Sequence, residues 1–481
     1  MFQQSHPKME GREDRDQSCL DHPLAEVVVV MVPFPAQGHL NQLLHLSHLV
    51  TSYGLPVHYA GSSTHNRQAK LRIHGWDAES LTKIHFHDLQ LPAYNSLPPN
   101  PDNSNHFPRH LQPLFDASVH LRQPVCELLQ QLKSKFRRVV VIHDSLMASV
   151  VQDVKSVPNA ETYAFISISA FTFFFNSWEK IEQKPFSLDS DNPKFLPSND
   201  GCFTPEIFNI MIYQRKMLGL ESGRLYNTSK VVESKYIQLM EKLSTNNKIK
   251  HFAIGPLNPV QMKSKNGKNR HICLEWLDKQ ETASVIYVSF GSTTSMTDEQ
   301  IMELALGLER SGQKFLWVLR RADTGDIFTG GEVGKPQLPE GYEDSVKDRG
   351  IVVKDWAPQL EILAHPSTGG FMSHCGWNSS MECISMGVPV AAWPMHSDQP
   401  RNAFLMTDVL RIGILVRDWT RRAELVPFST IANVLRTLMA SKEGEEMRKR
   451  AAELGDAVRA SVAKDGASRL EMDSFISHIT R

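Results

Sequence analysis

The chain has 481 residues, 41% of them hydrophobic and 22% charged, with a formal net charge of -1. That length supports about two to three domains with sizeable cores. The balance of 52 basic against 53 acidic residues excludes a chain-wide electrostatic grip on nucleic acid or an anionic membrane.

In chain order, residues 1–24 are polar, mixed in charge and without an apolar stretch. They read as a disordered extension and not as a secretory signal. Residues 26–32 (EVVVVMV) read as a strand buried on both faces. After Pro33-Phe34-Pro35, leucines and valine over 40–50 recur at helical spacing. A second strand is expected over 55–59. A third lies at 137–142 (RRVVVI) and ends at His143-Asp144. Residues 95–109 and 183–204 are rich in Pro, Asn and Ser and read as surface loops. The greasy run 165–175 is far too short to span a bilayer.

Residues 258–270 are basic and aperiodic, which marks a linker. A second series of strands follows at 285–290, 314–319, 350–353, 370–373 and 388–393. Thr297 is expected to open a helix, with Gln300 as its capping-box partner. The alternation of strands and helices implies an α/β chain with two Rossmann-like domains. The expected limits are 25–257, a linker at 258–271 and 272–460. Their site should lie between them, at the carboxyl ends of both sheets.

Six cysteines without a C-x-x-C pair point to a reducing compartment, so a cytoplasmic protein is expected. Fourteen of the 20 histidines lie between His6 and His143. That clustering raises the question of metal. His85 and His87 fall on one face of a strand, and Asp189-Ser190-Asp191 has a D-x-D form. No third ligand cluster accompanies the first, and the second sits in a loop with no strand before it. No metal site is expected.

Neither a G-x-G-x-x-G nor a P-loop motif occupies a strand-to-helix turn. A different anion device is present. The strand ending at Ser373 leads into His374-Cys375-Gly376-Trp377-Asn378-Ser379 and then a helix. Main-chain N–H groups at such a helix start attract anions. A plain capping box of Ser379 with Glu382 explains the local pattern equally well.

The wider 44-residue segment from Trp356 to Gln399 resembles the signature box of plant secondary-product UDP-sugar glycosyltransferases. That resemblance implies a GT-B arrangement, with two Rossmann-like domains facing each other across a cleft. It implies that Trp356, with Ala357 beside it, receives uracil, and that Gln359 and Glu382 bind ribose hydroxyls. His374, Asn378 and Ser379 would hold the diphosphate with help from Ser292. Trp377, Asp398 and Gln399 would contact the sugar, and Gln399 is associated with glucose donors.

The family's N-terminal motif stands at Pro33 to His39. Transfer to a hydroxyl needs a base, and a neutral imidazole suits the task. His39 follows a strand and opens a helix, whose N-terminus is expected to favour the neutral ring. Asp144 matches the family's acidic partner and also suits a helix cap.

Further segments resemble the zeatin O-glycosyltransferase branch of that family. They include Val57 to Ala60, His74 to Asp77, Phe252 to Pro259 and Met395 to Pro400. The branch implies an inverting transfer of glucose, or of xylose, to the side-chain hydroxyl of a cytokinin. Another phenolic, flavonoid or terpenoid alcohol is the alternative. Candidate acceptor-pocket residues are His143, Ser145, Leu146, Phe171, Phe174, Phe175 and His396. A catalytically inert UDP-sugar binder is the rival of another class, and it has no need of both His39 and Asp144. The resemblance further implies a monomer that needs no cofactor beyond its UDP-glucose co-substrate. It also implies a terminal helix in 461–481 that packs back on the first domain.

Overall fold

The computed structural model describes residues 25–72, 78–95, 98–100, 107–244, 249–262, 270–324, 326–328 and 337–481. The expected disordered extension and the segment His74 to Asp77 lie outside the described residues. So do residues 263–269 of the 258–271 linker.

Two parallel sheets organise the molecule. The first holds β1 (Ala25–Val32), β2 (Val57–Ser62), β3 (Ile84–Leu89), β4 (Phe136–Asp144), β5 (Ala160–Ile166), β6 (Gly223–Tyr226) and β7 (Lys250–Ala253), in the order β3-β2-β1-β4-β5-β6-β7. The second holds β8 (Val285–Ser289), β9 (Lys314–Val318), β10 (Gly350–Val353), β11 (Thr368–Ser373), β12 (Val390–Ala392) and β13 (Gly413–Leu415), in the order β10-β9-β8-β11-β12-β13. Helices cover both faces of each, as parallel strands require.

β-branched residues explain the central strands. Val28, Val29, Val30 and Val32 of β1 and Val139, Val140 and Val141 of β4 have no exposed surface. They feed two apolar clusters, one on each face of the first sheet. The strand expected at 55–59 begins two residues later, because Leu55 and Pro56 still belong to the approach. Thr297 caps the helix Asp298–Ser311 through Gln300 N at 3.1 Å. Gln300 does not complete a capping box. Its amide pairs with the main chain of Val426 instead, donating at 3.0 Å and accepting at 2.9 Å.

Strand order places the site. In the first sheet the order reverses direction beside β1, whose neighbours are β2 and β4. In the second it reverses beside β8, whose neighbours are β9 and β11. Crevices open at such switch points, beyond the carboxyl ends of the strands. Val32 pairs with His143 across β1 and β4, so the His39 turn and Asp144 leave the sheet side by side. Ser289 pairs with Ser373 across β8 and β11, which brings the Gly291 and His374 loops together.

The chain ends with two helices, Lys442–Ser461 and Ala467–Ile479. The last returns to the first sheet. Its Met472, Phe475 and Ile479 are buried among Tyr163, Phe252 and Leu43. Asp473 accepts from the Tyr53 hydroxyl at 2.6 Å, and Glu471 pairs with Lys230 at 2.7 Å.

Candidate active site

Ala36 precedes the helix Gln37–Ser52, and its carbonyl accepts from His39 N and Leu40 N at 2.9 Å each. His39 therefore sits in the first helical turn, with its side chain 23% exposed. Its Nδ1 lies 2.7 Å from Oδ2 of the fully buried Asp144. The other oxygen, Oδ1, accepts from Leu146 N at 2.9 Å and caps the short turn Ser145–Met147. Asp144 thus orients the ring and caps a turn at once. Burial works against charging His39, but the charge and hydrogen bond of Asp144 and the charge of Asp398 outweigh it. The imidazole is held above its ordinary 6.5. That is opposite to the direction expected from the helix N-terminus: carboxylate contacts beat the dipole.

The second-half loops converge opposite. His374 is wedged between two glycines. A Cβ on either Gly291 or Gly376 would fall 2.6 Å from its Nε2, and Gly291 also has φ of +77°. Burial pushes this imidazole down to about 4, so it acts as a neutral group. Its Nδ1 is buried without a partner among the described residues. Asn378 Nδ2 donates across the cleft to Gly38 O at 2.7 Å, beside the His39 turn. Gly291 and the loop that follows it, including Thr294 and Ser295, line a small cavity with Trp317 and Arg320. The carbonyl of Ser292 accepts from Asp323 N at 2.6 Å.

Gln359 opens the short helix Gln359–Leu363. Its Nε2 donates to Ser379 Oγ at 2.9 Å and to Glu382 Oε2 at 2.8 Å, and its Oε1 accepts from the Tyr287 hydroxyl at 3.3 Å. So Ser379 is no capping residue: the helix Trp377–Met386 is preceded by Gly376 and has no side-chain cap. Burial, only partly offset by Gln359, raises Glu382 to about 7. Trp356 is half-buried and Ala357 buried at the mouth of the same turn. Burial likewise raises Asp398 to about 6, against a hydrogen bond from Asn402 and the charge of His39.

Several expected site residues have other duties. Trp377 is 3% exposed and its indole N–H donates to Asn227 O at 2.9 Å, so only its main chain is left for a sugar. Gln399 Oε1 accepts from Met395 N and His396 N at 2.9 and 3.0 Å, which shapes its own turn. Phe174 is not a pocket residue. It has no exposed surface and lies in a core of Phe175, Trp178 and Tyr236, as do Phe171 and Phe175. His143 is buried, its Nδ1 2.9 Å from Asp144 O, and burial lowers its basicity. Ser145 and Leu146 are half-buried beside Asp144. His396 is buried against Phe107, with burial pushing it down to about 3. Asp191 is exposed and paired with Lys235 at 2.8 Å. His87 is hydrogen-bonded to His58 at 2.7 Å. Among the described residues, no three His, Cys, Asp or Glu side chains are grouped to hold a metal ion.

Residues 25–259 match the family model described as glycosyltransferase, N-terminal domain. Residues 261–421 match that of UDP-glucoronosyl and UDP-glucosyl transferase. The chain belongs to the UDP-glycosyltransferase family. This glycosyltransferase is 52% identical to a zeatin O-glucosyltransferase of Phaseolus lunatus, over 95% of the chain and 97% of the relative. It is 51% identical to a zeatin O-xylosyltransferase of Phaseolus vulgaris, over 95% and 98%. Among solved structures it resembles TcCGT1 in complex with UDP, with a TM-score of 0.77, 25% identity and coverage of 95% and 99%. It also resembles Phytolacca americana UGT2 complexed with UDP-2fluoro-glucose and pterostilbene, at 0.72, 26%, 95% and 100%. The fold is therefore GT-B, and the activity is glycosyl transfer from a UDP-sugar. Among the described residues, no helix is long and apolar enough to cross a membrane.

Sequence reasoning passed over two groups that join the halves of this transferase. Arg72 forms an ion pair with Asp323 across the cleft, both nearly buried, and also donates to Gln37 Oε1 at 3.1 Å. Asn402 links Asp398 to the first half. A helical offset of four from Asp398 was a visible signal for Asn402. Arg72 carried none, because its partner is 251 residues away.

Proposed function

We propose that the enzyme moves glucose from UDP-glucose to the side-chain hydroxyl of a zeatin-type cytokinin, in one displacement that inverts the anomeric carbon. The observation that carries this reading is the 2.7 Å contact of His39 with Asp144, facing Asp398 and the His374 loop. His39 Nε2 takes the proton from the acceptor hydroxyl as its oxygen attacks C1 of the α-linked sugar. The C1–O bond to UDP breaks with its electron pair leaving on the diphosphate. Asp144 keeps the proton on Nδ1 beforehand and stabilises the imidazolium afterwards.

The first half receives the acceptor, with Ser145, Leu146, His143 and His396 near its pocket. The second receives the donor. Trp356 and Ala357 meet uracil, and Glu382 with Gln359 meets the ribose diol. Ser292, His374, Asn378, Ser379 and the helix start at Trp377 meet the diphosphate. Asp398 and Gln399 meet the sugar. Neutral His374 acts by N–H donation, and the helix start supplies partial positive charge for the departing UDP. We assign no metal to the step, so turnover should survive EDTA; strict dependence on an added divalent ion would overturn that assignment. We take the protein to act as a cytoplasmic monomer, which size-exclusion chromatography and a fluorescent fusion would check.

A second reading, UDP-xylose as donor, is favoured by the 51% identity to a zeatin O-xylosyltransferase. Purified protein is to be offered both donors with a panel of zeatin isomers, flavonols, phenols and terpenoid alcohols. The β-O-glucoside of zeatin is the expected product. A panel in which zeatin is ignored and a flavonol is glucosylated would overturn the acceptor assignment.

A further inference from the structure

Asn402 lies in the helix Gln399–Phe404 and has no exposed surface, yet every polar position of its amide is used. Nδ2 donates to Asp398 Oδ2 at 2.7 Å and to Cys375 O at 3.0 Å. Oδ1 accepts from Ser169 Oγ at 2.8 Å and Thr172 Oγ1 at 3.1 Å. The amide cannot be turned over. A carboxylate and a carbonyl only accept, so the nitrogen must face them. The oxygen then faces the two hydroxyls at the start of the helix Ala170–Trp178, where Ser169 also caps Thr172 N at 3.0 Å. One buried side chain thus ties a sugar-side carboxylate and the His374–Trp377 loop to the first half of the molecule.

We propose that Asn402 is a positioning residue, which sets Asp398 and the Cys375 carbonyl in the arrangement that receives the sugar and takes that arrangement from Ser169 and Thr172 in the acceptor half. This rests on Asp398 as a sugar contact. Closure of the two halves and organisation of the donor site become one event, because a shift of the Ser169 turn moves the amide that holds Asp398. The titratable groups facing Asp398 are His39 from the first half, Cys202 from the 183–204 loop, and Cys375. Burial keeps both thiols neutral, and Asn402, a main-chain N–H and His39 favour the charged carboxylate.

The test is steady-state kinetics and UDP binding for Asn402→Leu and for the double variant Ser169→Ala/Thr172→Val in the other half. Asn402→Leu should lose about tenfold in kcat/KM for UDP-glucose while affinity for UDP, which lacks the sugar, changes by less than about twofold. Its pH profile should show a further protonation entering from the acid side, as Asp398 rises above about 6. The double variant should show the same split at about threefold, and combining all three changes should add little. Equal losses of UDP and UDP-glucose binding, unchanged donor kinetics in the double variant, or additive losses would overturn the proposal. If Asn402→Leu does not fold, the double variant alone decides. Asp398→Asn with normal donor kinetics would instead overturn the sugar-contact reading, and a non-cytokinin acceptor would leave these ratios intact.

Discussion

The two halves of the transferase build their chemistry differently. In the first, an imidazole and a carboxylate 105 residues apart meet because β1 and β4 are neighbours. In the proposed step these two side chains act together, and Leu146 N holds the other carboxylate oxygen. In the second, the proposed site is drawn from loops between Trp356 and Gln399, with Ser292 added, and three of its polar side chains bond to one another. Gln359, Ser379 and Glu382 form such a cluster. A site made of one pair fails outright when either member goes. A site made of shared contacts weakens in steps.

Substitutions can break or sharpen that contrast. His39→Ala removes the base and should cut kcat by about 10³-fold, while UDP binding, measured by calorimetry, stays within about twofold. A parallel loss of UDP affinity would mean that the halves are not separable. Phe174→Ala should destabilise by about 3–5 kcal/mol in denaturant unfolding, because the ring is core. A changed acceptor preference at normal stability would return Phe174 to the pocket. Glu382→Gln should raise the UDP-glucose KM by about tenfold, since a charge-assisted acceptor is replaced by a neutral amide, with acceptor KM unmoved. Trp377→Phe loses the bond to Asn227 O and some buried ring volume, and should cost about 1–3 kcal/mol in unfolding with little effect on kcat.

Legibility in the sequence follows the same divide. The strands and turns between Trp356 and Gln399 were readable because their residues are nearly contiguous and their turn chemistry is local. The valine runs of β1 and β4 announced themselves by composition, and so did the His39 turn. β6, β7 and β13 are three or four residues long and carry no periodicity of their own. They are strands because a neighbour offers a ladder, which no local pattern records. The Phe-rich run 171–175 invited a pocket assignment, but an apolar helix face says only that it is buried, not against what. The direction of the His39 shift was misjudged for a related reason. A helix start is visible in sequence, whereas the closeness of the Asp144 contact, and the added approach of Asp398 from the other half, are not.

The central claim is that His39, tuned by Asp144, is the base. The pH dependence of kcat/KM for the acceptor tests it most directly, in the parent and in Asp144→Asn. A base must be neutral to accept a proton, and carboxylates hold His39 above 6.5. The parent should therefore lose activity on the acid side with a midpoint above 6.5. In Asp144→Asn burial is no longer outweighed, so that midpoint should move to lower pH as the maximal rate falls by about 10²-fold or more. An acid limb that stays in place, or moves to higher pH, would contradict the account.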